Sequence, residues 1–375
     1  VALLNRRAAA ALLAGAAAAL GPGCRLAPSP APRAATASAP ERAPGACAWF
    51  GDARGDTLYF GVSPFWRAMR DAGGDPTAER RTPGARELGR FDLARERPQP
   101  ALAIGPAGAR GGVWDVLAHP NGWVYFTTFW ERGGRVDPAS GAVEWFQDAG
   151  DGLNELALLP DGRVLATRYA RAGAGGAVVV LSERGDVVAE HPLASDAGVV
   201  AAAKSIAYDP ARDSAWVNTD LLPASGGPAA HDARVIALAD GRELARWASP
   251  ELQFVAFAAD GVGFLVELAD ERLMLRVVPP DARAPLPLAG RLIVLDEAFP
   301  GALDFAQDLK LAPDGSAIVT RWSGVVHVAS PSGAVRALAL PKLEGALYYT
   351  AVQAGRGICA TRCAGVEVIC ARAPR

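Results

Sequence analysis

Lysine is almost missing from this chain. Of 38 basic residues among 375, only Lys204, Lys310 and Lys342 are lysines, and the formal net charge is −2. With no basic excess to neutralise phosphates, a chain built on nucleic-acid affinity is excluded. Histidine is equally scarce: His119, His191, His231 and His327 stand far apart, so no histidine cluster sits at metal-ligand spacing. Neither a Gly-x-Ser-x-Gly elbow nor a phosphate loop occurs, which removes two familiar routes to hydrolysis and nucleotide binding. Beyond residue 24 no window is apolar for the ~20 residues that a membrane-spanning helix needs.

What the chain does have begins with an export layout. Asn5-Arg6-Arg7 precedes an uncharged run from Ala8 to Leu20, then Gly-Pro-Gly-Cys24, the order of a signal peptide. Cys24, placed after small residues, resembles the lipid-modified cysteine of the bacterial lipoprotein cleavage box. Residues 25–45 are rich in Ala, Pro, Ser and Arg and read as a disordered tether. The expectation is a monomer exported to the bacterial periplasm or cell envelope, touching the membrane only through a lipid anchor. Four further cysteines, Cys47, Cys359, Cys363 and Cys370, allow two disulfides in such a compartment.

From residue 46 to 372 one pattern recurs: an apolar strand, an Asn-Gly or Asp-Gly turn, and a second apolar strand. Trp114–Gly122, Asn154–Gly162, Gln253–Gly261 and Gln307–Gly315 are its clearest copies, with looser ones at Lys204 and Tyr349. Such turns between apolar runs are strong hairpin signals. Further strand pairs follow each hairpin, giving seven units at roughly 46–104, 113–147, 153–193, 202–247, 253–300, 304–340 and 345–372. Short antiparallel strands at this period predict an all-β propeller of six or seven four-stranded blades. The last unit shows three strands, so the N-terminal strand at 46–50 is expected to close the ring as its fourth. Cys47 would then bond to Cys370.

In a propeller the first strand of each blade lines the channel, and its start meets the end of the second strand at one mouth. Counting seven back from each turn puts Trp114, Asn154, Lys204, Gln253, Gln307 and Tyr349 there. Counting seven forward gives Thr128, Arg168, Thr219, Glu267, Arg321 and Arg362. Guanidinium forks suit carboxylate or phosphate, so these columns point to a small polar or anionic ligand. His231 lies in a long insertion (220–234) on the mouth side and is the histidine to test; a second insertion spans 268–288.

The run 307–341, with Gln-Asp-Leu-Lys-Leu-Ala-Pro-Asp-Gly, Thr-Arg-Trp-Ser-Gly and a closing Leu-Pro, resembles a blade of the gluconolactonase and senescence-marker-protein family. The likeness spreads over about 113–372. It implies six blades, one divalent metal such as calcium or zinc in the channel, and hydrolysis of sugar lactones. Gln307 stands where the family has an aspartate ligand, and Lys204 where it has an asparagine. Asp115, Glu155 and Asp308 occupy the neighbouring column and are the candidate catalytic carboxylates, although strand alternation turns them away from the first column. Two functions follow as expectations: a non-catalytic propeller holding a small ligand or an envelope protein at its mouth, or a metal-dependent hydrolase.

Overall fold

A computed structural model describes residues 46–65, 68, 71–73, 78, 86–105, 112–128, 131–170, 175–225, 229–248, 252–269, 272–281, 290–295, 306–341, 347–355, 357–363 and 365–372. The export segment, Cys24 and the tether lie outside these residues. The described chain forms seven antiparallel sheets, each built from consecutive strands. Blade one is β1 (Cys47–Arg54), β2 (Thr57–Ser63), β3 (Glu87–Asp92) and β4 (Arg97–Ala103). Blade two is β5 (Val116–Ala118), β6 (Val124–Phe126), β7 (Gly134–Val136) and β8 (Val143–Trp145). Blade three runs through β9 (Leu153–Leu158), β10 (Val164–Arg168), β11 (Ala177–Leu181) and β12 (Val187–Pro192). Blade four holds β13 (Val199–Asp209), β14 (Ser214–Pro223), β15 (Ala230–Ala237) and β16 (Glu243–Ala248). Blade five holds β17 (Leu252–Phe257), β18 (Gly263–Ala269), β19 (Arg272–Val278) and β20 (Arg291–Val294). Blade six is β21 (Ala306–Leu311), β22 (Ala317–Arg321), β23 (Val325–Ala329) and β24 (Val335–Ala339). Blade seven has β25 (Leu347–Ala354), β26 (Gly357–Cys363) and β27 (Val366–Arg372).

The first strands touch their neighbours around the whole ring, β25 meeting β1 to close it. The protein is a seven-bladed β-propeller, one blade more than the gluconolactonase resemblance implies. The turn glycines behave as their sequence requires: Gly122, Gly162, Gly261 and Gly315 all have positive φ, which only glycine adopts without strain. Apolar side chains on the blade faces fill the gaps between blades. One such cluster joins Leu165 and Val178 of blade three to Ala203 and Val217 of blade four, all buried.

Ring closure differs from the sequence expectation. Residues 46–50 do not complete the last blade. Cys47–Arg54 turns back tightly through Gly55, pairing Arg54 with Thr57, and becomes the inner strand of blade one. Blade seven keeps three strands among the described residues. Cys47 bonds to Cys363 and not to Cys370, because β1 packs against β25 and β26 of the neighbouring blade. Cys370 faces Cys359 across the β26–β27 ladder, and those two form the second disulfide. The folded domain therefore belongs in a non-reducing, extracytoplasmic setting. Among the described residues no helix is long and apolar enough to cross a membrane.

Candidate functional site

Every inner strand loses its two-residue alternation at the same height. In β9, Leu153 faces Arg168 and Leu156 faces Ala166, so β9 carries one extra residue. The same one-residue excess falls between Ala48 and Gly51, Ala203 and Ile206, Leu252 and Phe254, Ala306 and Asp308, and Tyr348 and Ala351. In blade two Trp114 donates its N–H to Thr127 O, and Thr127 N–H donates to Asp115 O. Bulges of this kind re-aim side chains, and here they fall on the column read from the sequence as the mouth.

A threonine on the second strand locks each of several bulges to the next blade. Thr127 Oγ1 accepts from Asp115 N–H and donates to Asn154 O at 2.6 Å. Thr167 Oγ1 accepts from Glu155 N–H and donates to Lys204 O at 2.7 Å. Thr361 repeats this between Thr350 N–H and Trp49 O across the ring closure. In blade four Asn218 takes over, donating to Leu252 O and Gln253 O. Thr167→Val, of nearly equal shape, is expected to lower stability by about 1–3 kcal/mol, since the Glu155 N–H loses its partner while Lys204 O keeps the Asn154 amide. Thermal denaturation of that variant checks it, and an unchanged melting temperature would show that the latch carries no weight.

Because of the bulges, Asp115, Glu155 and Asp308 do project into the channel. Glu155 of blade three senses Asp308 and Lys310 of blade six, and opposite blades can interact so only across the axis. Burial pushes Asp115 up to about 6 against the pull of Lys310. Burial likewise raises Asp308, and raises Glu155 well above the usual carboxyl range, with Asp115 and Asp308 adding repulsion. For Lys310 burial acts against the charge, but Asp308, Asp115, Asp52 and Glu155 overturn it and raise the ammonium's pKa. Its Nζ lies 3.7 Å from Asp308 Oδ2. These carboxylates also bind blades together: Asp52 accepts from Ala118 N–H, Asp115 from Leu156 N–H, and Asp308 from the Thr350 hydroxyl.

This set does not fit a divalent metal. An ammonium sits among the carboxylates, and among the described residues no three His, Cys, Asp or Glu side chains are close enough to hold one ion.

The forward column lies elsewhere. Arg168 pairs with Glu190 on the outer strand β12 at 3.0 Å and reaches Ala149 O. Glu267 is held by Arg276 on β19, and Arg362 by Glu367 on β27. Arg321 is 1% exposed and acts on His327 of the third strand β23; burial lowers its pKa to about 10. All four point from the second strand into their own blade, away from the axis, so the expected ring of mouth arginines is absent. The backward column is used mostly in packing. Gln253 Oε1 accepts from Ala306 N–H and Asn154 Nδ2 donates to Lys204 O, both between blades. Gln307 donates to Ala306 O, and Tyr349 is fully buried against Trp49.

Lys204 and His231 are the two expected residues that the structure unites. The 220–234 segment is not a loop insertion at its ends. Asp220–Pro223 prolongs β14 and Ala230–His231 begins β15, while β13 starts early at Val199, so blade four rises above its neighbours. Four extra residues per strand are worth about 13 Å. The 268–288 segment likewise contains a blade strand, β19. Asp220 and His231 are cross-strand partners on the raised part. His231 Nδ1 lies 2.9 Å from Asp220 Oδ1, and Lys204 Nζ lies 3.4 Å from the same oxygen. The Tyr169 hydroxyl donates to Asp220 Oδ2 at 3.3 Å. Burial works to raise Asp220, but Lys204 and His231 outweigh it and hold the carboxyl below its ordinary value. Burial and Asp220 together raise Tyr169, which therefore stays a hydrogen-bond donor.

No known protein family and no curated protein matches this chain. The site thus stands on its own chemistry: one partly buried carboxylate shared by an ammonium, an imidazole and a phenol, above a channel of carboxylates gathered round Lys310.

Proposed function

We propose that this is an exported β-propeller that binds a small, singly charged anion at its channel mouth, with Lys204 and His231 as the recognition groups. We also propose that residues 1–24 direct export and that Cys24 and the 25–45 tether fasten the domain to a bacterial envelope membrane. The observation that carries the binding reading is the shared Asp220 carboxylate: it positions Lys204 and His231 together, both still part-exposed at 35% and 22% of their side chains. A carboxylate ligand offers acceptor oxygens to both of these part-exposed donors. Polyanions such as phosphate monoesters are disfavoured, because among the described residues the mouth offers Lys204 above several acidic groups.

Calorimetric titration with short monocarboxylates and their neutral amides tests this. Carboxylates are expected to bind and amides not. Lys204→Met should weaken the carboxylates by about 1.5–3 kcal/mol, the worth of a hydrogen bond to a charged group. Equal binding of acids and amides, or binding indifferent to Lys204, would contradict the reading.

A further inference from the structure

The bulge column divides the mouth into two unlike halves. On blades one, two and seven it carries Trp49, Trp114 and Tyr349, with Phe50 next to Trp49 in the same bulge; on blades three to six it carries Asn154, Lys204, Gln253 and Gln307. The aromatic half is continuous. Trp49 lies 4.3 Å from Tyr349 and 5.5 Å from Trp114, centroid to centroid, and Phe50 lies 6.1 Å from Trp114. Phe65, following β2, stands edge-on to Trp114 at 5.4 Å. Trp49, Phe65 and Tyr349 are buried, whereas Phe50 and Trp114 remain partly exposed. Three buried rings thus support two accessible ones, which is the build of a stacking platform with fixed rotamers.

The platform and Lys204 stand at one height. Trp114 adjoins Asp115, whose N–H donates to Thr127 Oγ1; that hydroxyl donates to Asn154 O, and Asn154 Nδ2 donates to Lys204 O. This chain of hydrogen bonds sets the bulges of blades two, three and four level with one another.

We propose that the ligand of this mouth is an aromatic carboxylate: a flat ring that stacks on Trp114 and Phe50, and one carboxylate that reaches Lys204 on the raised side of blade four. The proposal rests on the anion-binding reading above and adds the ring. Charge complementarity argues for this orientation. An apolar ring on the blade-one side keeps the ligand's negative charge at Lys204 and away from Asp115, Glu155 and Asp308 in the channel below. Ring-on-ring stacking in such settings adds binding beyond area burial, and a ligand of this shape uses both halves at once.

Titration with indole-3-acetate, indole-3-acetamide and 3-methylbutanoate tests it, read by calorimetry. Indole-3-acetate is expected to bind at least tenfold more tightly than either of the others. Trp114→Ala should erase the preference for indole-3-acetate over 3-methylbutanoate, and Trp114→Leu should do the same if the alanine variant folds poorly. Lys204→Met should weaken both acids. Equal affinity for the two acids, or a preference that survives both Trp114 variants, overturns the aromatic inference while Lys204-dependent binding keeps the anion site. Failure of both acids to bind overturns both proposals together.

Discussion

Lys310→Met is expected to cost roughly 2–4 kcal/mol of stability at pH 8, somewhat below the 3–5 of a fully dry ion pair because 25% of the Lys310 side chain is still reached from the channel. The loss should shrink markedly at pH 4. Asp115 sits at about 6 in the fold, above its ordinary value, and Glu155 and Asp308 are raised too. A carboxyl whose folded pKa is raised favours the native state only while it is protonated. Its contribution is full below the unfolded value and is lost as pH rises through the folded one. Lys310 is what makes the ionised channel tolerable above that point, and its own raised pKa keeps it charged throughout this range. Removing it should therefore do most damage where the carboxyls must ionise. Asp115→Asn in the Lys310→Met background should return part of the stability at pH 8, since Asn can still accept the Leu156 N–H. Denaturant titrations at the two pH values decide the matter. Equal losses at pH 4 and pH 8 would mean that Lys310 matters for packing and not for charge.

Loss of the Cys47–Cys363 bond is the second large effect. The bridge joins inner strand β1 to β26 across 316 residues of chain, so it restrains the unfolded ensemble over nearly the whole domain. Cys47→Ala with Cys363→Ala is expected to cost about 2–5 kcal/mol. The Cys359–Cys370 bond closes only 11 residues, and its removal should cost less, because the entropy of closing a loop grows with the length closed. Thermal unfolding of the two double variants orders them. A larger loss from Cys359 and Cys370 would show that the bridges act through local native contacts and not through closure of the ring.

The propeller was legible because its punctuation is local. Asn-Gly and Asp-Gly turns demand positive φ, they recur at one period, and the strand pairs around them need no distant partner to be recognised. The seven units counted in the sequence became seven sheets. Ring closure was less legible, since the sequence does not say whether Cys47–Arg54 pairs forward to Thr57–Ser63 or backward to the chain end. The turn at Gly55 decides it locally. The site was misread at one step for one reason: strict alternation was carried through a bulge. The extra residue at Asn154-Glu155, Gln307-Asp308 and their equivalents brings the carboxylates to the axis and leaves the forward arginines facing their own third and fourth strands. The repeated threonine in Thr127, Thr167 and Thr361 is the sequence signal that marks the bulge, and it stands directly before Thr128, Arg168 and Arg362 in the forward column. Asp220 was missed because it lies beyond the regular blade length, and only the raised strands of blade four bring it to Lys204 and His231.

The most direct test of the mouth as an anion site uses the scarcity of histidine. Four imidazoles give a simple proton–carbon NMR spectrum, and each signal can be assigned by one substitution. His119 Nε2 donates to Gly162 O on the turn side, His327 is buried at 4% exposure, and His191 lies on the outer strand β12. Titration with indole-3-acetate should move the His231 ring signals in proportion to occupancy and leave the other three in place. If His231 stays still while the ligand binds, or if another histidine moves in its stead, the ligand sits elsewhere and the mouth of blade four is not the site.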